Sequence, residues 1–121
     1  MAMPDVQGGL RRSLASALPG VEVRVSVPDP RPPTLVVVRR EGGRRENALI
    51  DRAGVGIDCW APTEADAYAL ADRVAEAMDA LRFADGWADV SMESMRSDYD
   101  VVAKSPRWYL SYTIKAYKPK Q

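Results

Sequence analysis

The sequence predicts an α+β domain with two layers, in which two helices cover one face of a mostly antiparallel sheet of about five strands. Residues 21–27 alternate strictly between apolar and polar side chains, whereas residues 63–81 carry apolar side chains at helical spacing. Several strands follow one another without a helix between them, which favours antiparallel pairing. At 121 residues, we expect a single domain spanning 1–121, with the order α-β-β-β-α-β-β.

The first helix is predicted to begin after Asp5, whose carboxylate is a good N-cap, and to end before Pro19-Gly20. Its apolar face consists of Val6, Leu10, Leu14 and Ala17 or Leu18. The first strand follows at 21–27, with valines on one face and polar side chains on the other.

The next two strands flank an arginine-rich segment. Residues 28–33 contain four prolines and predict an extended connector outside the sheet. A strand at 34–40 leads into "RREGGRR" (39–45), interpreted as a cationic loop, and a long strand follows at 47–61. Gly54 and Gly56 indicate a bend or bulge in that strand. Its side chains divide between two faces: Val55, Ile57 and Cys59 on one, Trp60 on the other.

The second helix is predicted from Thr63, which with Asp66 forms an approximate capping box. The apolar positions behind it are Ala67, Leu70, Ala71, Val74, Ala77, Met78 and Leu81. Two further strands are predicted, one within 88–95 and one at 107–117, with a loop at 96–106 between them. In the last strand, Trp108 shares a face with Leu110, Tyr112 and Ile114.

Composition argues against catalysis and against a cofactor or metal site. The chain contains no histidine, the usual base for serine or cysteine nucleophiles and a common metal ligand. The lone cysteine, Cys59, is interpreted as a small buried hydrophobe. Glu93, Asp98 and Asp100 lack the spacing of a calcium loop and favour a solvated acidic loop. We find no signal peptide and no membrane segment, and we expect a protein made in the cytoplasm.

One face of the predicted sheet is apolar in part, and no predicted helix covers it. Leu35 to Val38 are apolar on both sides of their strand, and Trp60 points away from the predicted helix face. An exposed apolar face of this kind indicates an interface, so we expect a second subunit to cover it. The alternative is that loops 28–33 and 96–106 fold back over it.

Charge is balanced globally but not locally. Seventeen basic and seventeen acidic residues give a net charge of zero, so no overall field attracts nucleic acid or membrane. Asp72, Glu76 and Asp79 form an acidic stripe on the second helix, while arginines cluster at 39–45. Complementary patches on one molecule favour head-to-tail contacts, which close into rings when the rotation permits. A solvated stripe and a solvated loop remain the simpler interpretation.

Three sequence segments resemble the tail terminator (tail completion) proteins of long-tailed bacteriophages of actinobacteria. They are "VVVRR" before a Gly/Arg turn, the D-x-A-x-V-x-I-D-x-W-A pattern from Asp51 to Ala61, and the "TEADA" helix start at Thr63. The resemblance covers about residues 30–82, and residues 83–121 match in strand content only.

The resemblance implies a virion structural protein in the tail, at the head–tail junction, assembled in the host cytoplasm. Tail terminators form hexameric rings that stop polymerisation of the major tail tube protein and present a surface to the head–tail connector or stopper. Their fold is similar to that of tail tube proteins, with a sheet, a packed helix and a long hairpin. DNA passes through or near the lumen, and no membrane is involved.

Residues for the subunit or partner interface follow from the charge pattern and the unmatched aromatic side chains. They are Arg39, Arg40, Arg44, Arg45, Asp72, Glu76, Trp60 and Trp108. The arginines are expected to pair with carboxylates of a neighbouring subunit or tube ring, or alternatively to meet DNA phosphates in the lumen. Two other functions stay open: a head-completion or connector ring protein, and a small-molecule-binding α+β domain.

Overall fold

The computed structural model describes residues 3–82, 84 and 86–118. The elements are α1 (Val6–Ala17), β1 (Glu22–Arg24), β2 (Leu35–Arg45), β3 (Ile50–Trp60), α2 (Glu64–Leu81), β4 (Trp87–Ser97) and β5 (Arg107–Tyr117). The five strands form one sheet in the order β1-β2-β3-β5-β4, antiparallel except for the parallel β1–β2 pair. The predicted α+β architecture and element order are confirmed.

Both helices begin where the sequence predicts. The carboxylate of Asp5 accepts a hydrogen bond of 3.0 Å from the Gly8 amide, and the Thr63 hydroxyl accepts one of 3.1 Å from the Asp66 amide. Each cap satisfies an amide that has no partner within the helix. Neither helix within the described residues is long and apolar enough to span a membrane.

The core lies between the two helices and the face of the sheet that they cover, called the helix face. Val6, Leu10 and Leu14 come from α1, and Leu70, Val74 and Met78 from α2. Alternate residues of the three central strands meet them, as the period of two requires. These sheet residues include Val36, Val38, Val55, Ile57, Cys59, Leu110, Tyr112 and Ile114. Helices on one face only were predicted, and this is confirmed.

The boundaries of β1 and β2 differ from prediction. β1 has three residues rather than seven, because its parallel pairing with β2 spans only Glu22 to Arg24. The cationic segment is not a loop: β2 continues to Arg45 and pairs with β3 to Asp51. The turn lies at 46–49, where the Asn47 carboxamide accepts from the amides of Leu49 and Ile50.

Glycines allow β2 to continue as a strand through the cationic segment. The register shifts between Arg40 and Gly42, so Glu41 is an extra, bulged residue. Gly43 has a φ of 94°, and an added Cβ would collide with the backbone carbonyl of Arg52. A bulge was predicted in β3, but it lies in β2, opposite Gly54.

The apolar corner of the second sheet face is shielded within the single chain, so the predicted uncovered apolar surface is wrong. Leu35 and Val37 are 0% exposed, and Trp60 is 3% exposed. The guanidinium carbons of Arg31 and Arg107 each lie 5.6 Å from the Trp60 ring centre, and the Trp60 indole donates a 3.1 Å hydrogen bond to Asp100. The alternative is therefore the one observed: the segments that contain Arg31 and Asp100 fold back over this corner of the sheet.

Candidate interaction surfaces

Arg40, one of the predicted interface residues, is held inside the chain. Its guanidinium donates to both carboxylate oxygens of Asp51, at 2.5 and 2.8 Å. Its Nε donates to the Gly42 carbonyl at 3.0 Å, and its amide donates to the Gln7 side chain at 2.8 Å. The hydrogen bonds from Arg40 hold the pKa of Asp51 below its usual range. Arg40 therefore joins β2, β3 and the start of α1.

Arg39 also has an internal partner, on the opposite face of the sheet. It lies 3.4 Å from the carboxylate of Asp58, which is 6% exposed, and Arg107 lies 3.8 Å from the same carboxylate. Burial raises the pKa of Asp58, because both arginine contacts are too long to offset the loss of hydration. Asp58 is thus a buried carboxylate with weak compensation.

Arg107 is the centre of the network around that carboxylate. It donates to the Asp98 side chain at 2.8 Å and lies 3.9 Å from Asp100. The backbone amide of Ala103 donates to Asp100 at 3.0 Å, and the pKa of Asp100 is lowered mainly by this bond. The predicted solvated acidic loop is therefore wrong: Asp98 and Asp100 hold Arg107 and Trp60, and Glu93 lies in β4.

A cleft of about 440 Å³ opens beside this network. Three arginines and three aspartates line it together with Trp60: Arg31, Arg39, Arg107, Asp29, Asp58 and Asp100. Their formal charges cancel, and most of these groups are engaged with one another. The cleft offers a ligand few free hydrogen-bonding groups.

The two tryptophans assigned to the interface have roles within the chain. Trp60 is buried in the covered corner of the second face. Trp108 lies on the helix face, where its indole donates to Glu64 at 2.9 Å and its ring meets Tyr68 edge-on at 5.1 Å. Trp60 and Trp108 thus fix loops and α2 to the sheet.

Arg44 and Arg45 are exposed and point to opposite sides of β2. Arg45 pairs in register with Asp51, on the helix face, and lines a depression with Pro4 and Gln7 at the start of α1. Arg44 pairs in register with Arg52, on the other face. Alternation along the strand therefore splits the predicted cationic patch into two surfaces.

The acidic stripe of α2 is exposed, as predicted. Asp72, Glu76 and Asp79 all point to solvent, and only Asp79 has an ion pair within the described residues, to Arg82 at 3.6 Å. The helix packs against β5, β4 and β3, so α2 lies over that half of the sheet, and its acidic stripe faces away from the sheet. The β2 strand and Arg45 lie in the other half.

A third surface, called the open face, was not anticipated from the sequence. It is the part of the sheet face opposite the helices that lies beyond the covered corner at Leu35, Val37 and Trp60. Its side chains, which are exposed or half-buried, include Arg44, Arg52, Thr113 and Lys115. Across it, Arg44 of β2, Arg52 of β3 and Lys115 of β5 stand in one register row. The alternation of side chains within each strand indicates which residues point away from the helices. The bulge at Glu41 then sets the register between β2 and β3, which places Arg44 beside Arg52.

Cys59 is fully buried, as predicted, and burial raises the pKa of its thiol. Among residues 3–82, 84 and 86–118, no group of three or more His, Cys, Asp or Glu side chains is placed to hold a metal ion.

Comparison with models of known protein families gives no match, and comparison with curated proteins gives none either.

Proposed function

We propose that the protein is a virion structural protein, a tail terminator whose ring caps the tail tube and joins it to the head connector. The observation that carries the proposal is the separation of charge on one side of the sheet. Arg45 lies on the helix face of β2, and on the same side of the sheet α2 packs over β3, β5 and β4 with its acidic stripe exposed.

This arrangement suits copies placed side by side in one orientation. The β2 edge of one copy then meets the β4 edge of the next, and Arg45 comes alongside Asp72 and Glu76 of the neighbour. Such a contact is heterologous, so it closes into a ring when the rotation per copy divides a full turn. The sequence resemblance over residues 30–82 supports a ring of this kind, which is hexameric in the resembled family.

The contact proposed here is polar, since the apolar corner at Leu35 and Val37 is covered within the chain. Exposed ion pairs each stabilise by only about 0–1 kcal/mol. A ring held this way therefore assembles best on the last ring of the tube, where additional contacts add to those between copies. We expect the free protein to be mainly monomeric and the tube-bound protein to be a ring.

The experiment is to add the purified chain to polymerising tail tube protein and to measure tube lengths and end density by electron microscopy. A terminator shortens the tubes and adds a ring at one end. Unchanged tube lengths with no added density at the tube ends would contradict the proposal. A ring that leaves tube growth unchanged would instead favour a head-completion or connector protein.

A small-molecule-binding domain is the competing function, and the cleft beside Trp60 is the observation that favours it. Its lining arginines and aspartates are largely paired with one another, which weakens that case. A thermal-shift screen of metabolites separates the two functions. No stabilisation by any metabolite, together with rings on tubes, would favour the terminator, whereas stabilisation by a metabolite without rings would favour the binding domain.

A further inference from the structure

The open face carries two arginines whose charges are not compensated by any described carboxylate within 4.0 Å. Arg44 and Arg52 are register partners on adjacent antiparallel strands. The Cα atoms of such partners lie about 5 Å apart. Like charges directly opposite one another destabilise a sheet. Within the described residues, neither guanidinium has a carboxylate within 4.0 Å, in contrast to Arg39, Arg40 and Arg107.

Lys115 shows how the same row is neutralised elsewhere. It pairs in register with Arg52 on the other side, and its ammonium lies 3.1 Å from Glu46 and 3.9 Å from Asp89. The two arginines therefore form the uncompensated part of the row. An anion bound between them would relieve their repulsion.

The surface between the arginines has room for such an anion. A depression of about 430 Å³ is lined by Gly43, Arg44, Arg52, Gly54 and Thr113. Gly54 pairs with Gly42 on one side and with Thr113 on the other, so no side chain fills the floor and a hydroxyl stands at its margin. Even a Cβ added at Gly54 would come no closer than 3.8 Å to any neighbour.

We propose that Arg44, Arg52 and Thr113 form a binding site for a phosphate group on the open face. A planar carboxylate is satisfied by a single guanidinium fork. A phosphate presents oxygens in several directions and can accept from two forks and a hydroxyl together. This geometry fits two arginines that approach from neighbouring strands better than it fits a carboxylate of another protein.

The phosphate can come from a free ion or nucleotide, or from a nucleic-acid backbone. The inference does not rest on the proposed ring, because the site is complete in one chain. Loss of phosphate binding would leave the terminator proposal standing, and loss of ring assembly would leave the site standing.

The test is an NMR titration of the whole chain with inorganic phosphate, against sodium chloride at the same ionic strength. We expect phosphate-specific shifts of the amides of Gly43, Gly54 and Thr113. Arg44→Gln and Arg52→Gln should each weaken binding roughly tenfold or more, since a charged hydrogen bond is lost. Arg45→Gln is the matched control, because it removes the same charge from the next residue on the other face, and it should leave the shifts intact.

A second arm identifies the source, using fluorescence anisotropy with a short DNA duplex. If the backbone is the ligand, Arg52→Gln weakens duplex binding and lowers the salt dependence by about one unit of log–log slope, while Arg45→Gln does neither. If only free phosphate is the ligand, the titration responds and duplex binding is the same for both variants. Absence of phosphate-specific shifts, or equal effects of Arg45→Gln and Arg52→Gln on the titration, would overturn the proposal.

Discussion

The guanidinium group of Arg40 donates two hydrogen bonds to the carboxylate of Asp51, which is 3% exposed. This pair joins β2 to β3 beneath the start of α1, where the Gln7 side chain accepts from the Arg40 amide. One of the four arginines of the cationic segment 39–45 is thus a structural residue. The contact makes Asp51 the carboxylate whose loss should weaken the fold most.

Asp51→Asn should lower the free energy of unfolding by about 2–4 kcal/mol at pH 7, because it leaves a partly buried guanidinium without its charged partner. The pKa of Asp51 is lowered in the folded state, so its contribution is present above its unfolded value of about 3.9. That contribution is lost as the pH falls through the folded pKa. Urea denaturation at pH 7 and near pH 3 should therefore show a smaller effect of the substitution in acid, and exposed Glu93→Gln serves as the control.

Asp58→Asn should behave in the opposite way. Burial raises the folded pKa of Asp58, so this carboxylate destabilises the fold increasingly as the pH rises from about 3.9 through that pKa. We expect the variant to be within about 1 kcal/mol of the wild type at pH 7 and to compare less favourably in acid. A loss at pH 7 as large as that of Asp51→Asn would show that Arg39 and Arg107 compensate the charge after all.

Gly43→Ala should be far more damaging than Gly54→Ala. Gly43 has a left-handed φ of 94°, and a methyl group there would meet the Arg52 carbonyl. We expect a loss of about 3 kcal/mol or more, whereas Gly54→Ala should change stability by no more than about 1 kcal/mol. Equal urea midpoints for the two variants would show that the hairpin readjusts freely at the bulge.

Elements that depend on the spacing of apolar residues could be predicted from the sequence, whereas features that depend on the pairing register between strands could not. Both helices, the last strand and the burial of Cys59 follow from spacing and capping. The continuation of β2 does not, because consecutive glycines are typical of turns, and only pairing with β3 selects the bulge at Glu41. The cover over Leu35 was predicted only as the alternative to a second subunit for a similar reason: it depends on an arginine and an aspartate distant in sequence that both meet Trp60.

Asp100→Ala should open that cover without unfolding the domain. It removes the hydrogen bonds from the Trp60 indole and the Ala103 amide but leaves the two backbone bonds between residue 100 and Ser105. We expect a loss of about 1–2 kcal/mol and faster hydrogen exchange of the Trp60 indole N–H. Glu93→Ala is the control, since it removes an exposed acid of β4 outside this network. Unchanged indole exchange in the Asp100 variant would show that the remaining loop contacts suffice.

The charges of the proposed ring contact can be exchanged, and the two faces of β2 provide the control. Reversing Asp72 and Glu76 to arginine should abolish capping of tail tubes, because the stripe would then repel Arg45 of the neighbouring copy. Both positions are exposed, and within the described residues neither has an ion pair, so the fold should be unaffected. Adding Arg45→Glu should restore capping by recreating opposite charges, whereas adding Arg44→Glu should not, since Arg44 points to the open face. Tube length by electron microscopy measures all three variants. Restoration by Arg44→Glu but not by Arg45→Glu would place the neighbour against the open face and would contradict the edge-to-edge ring.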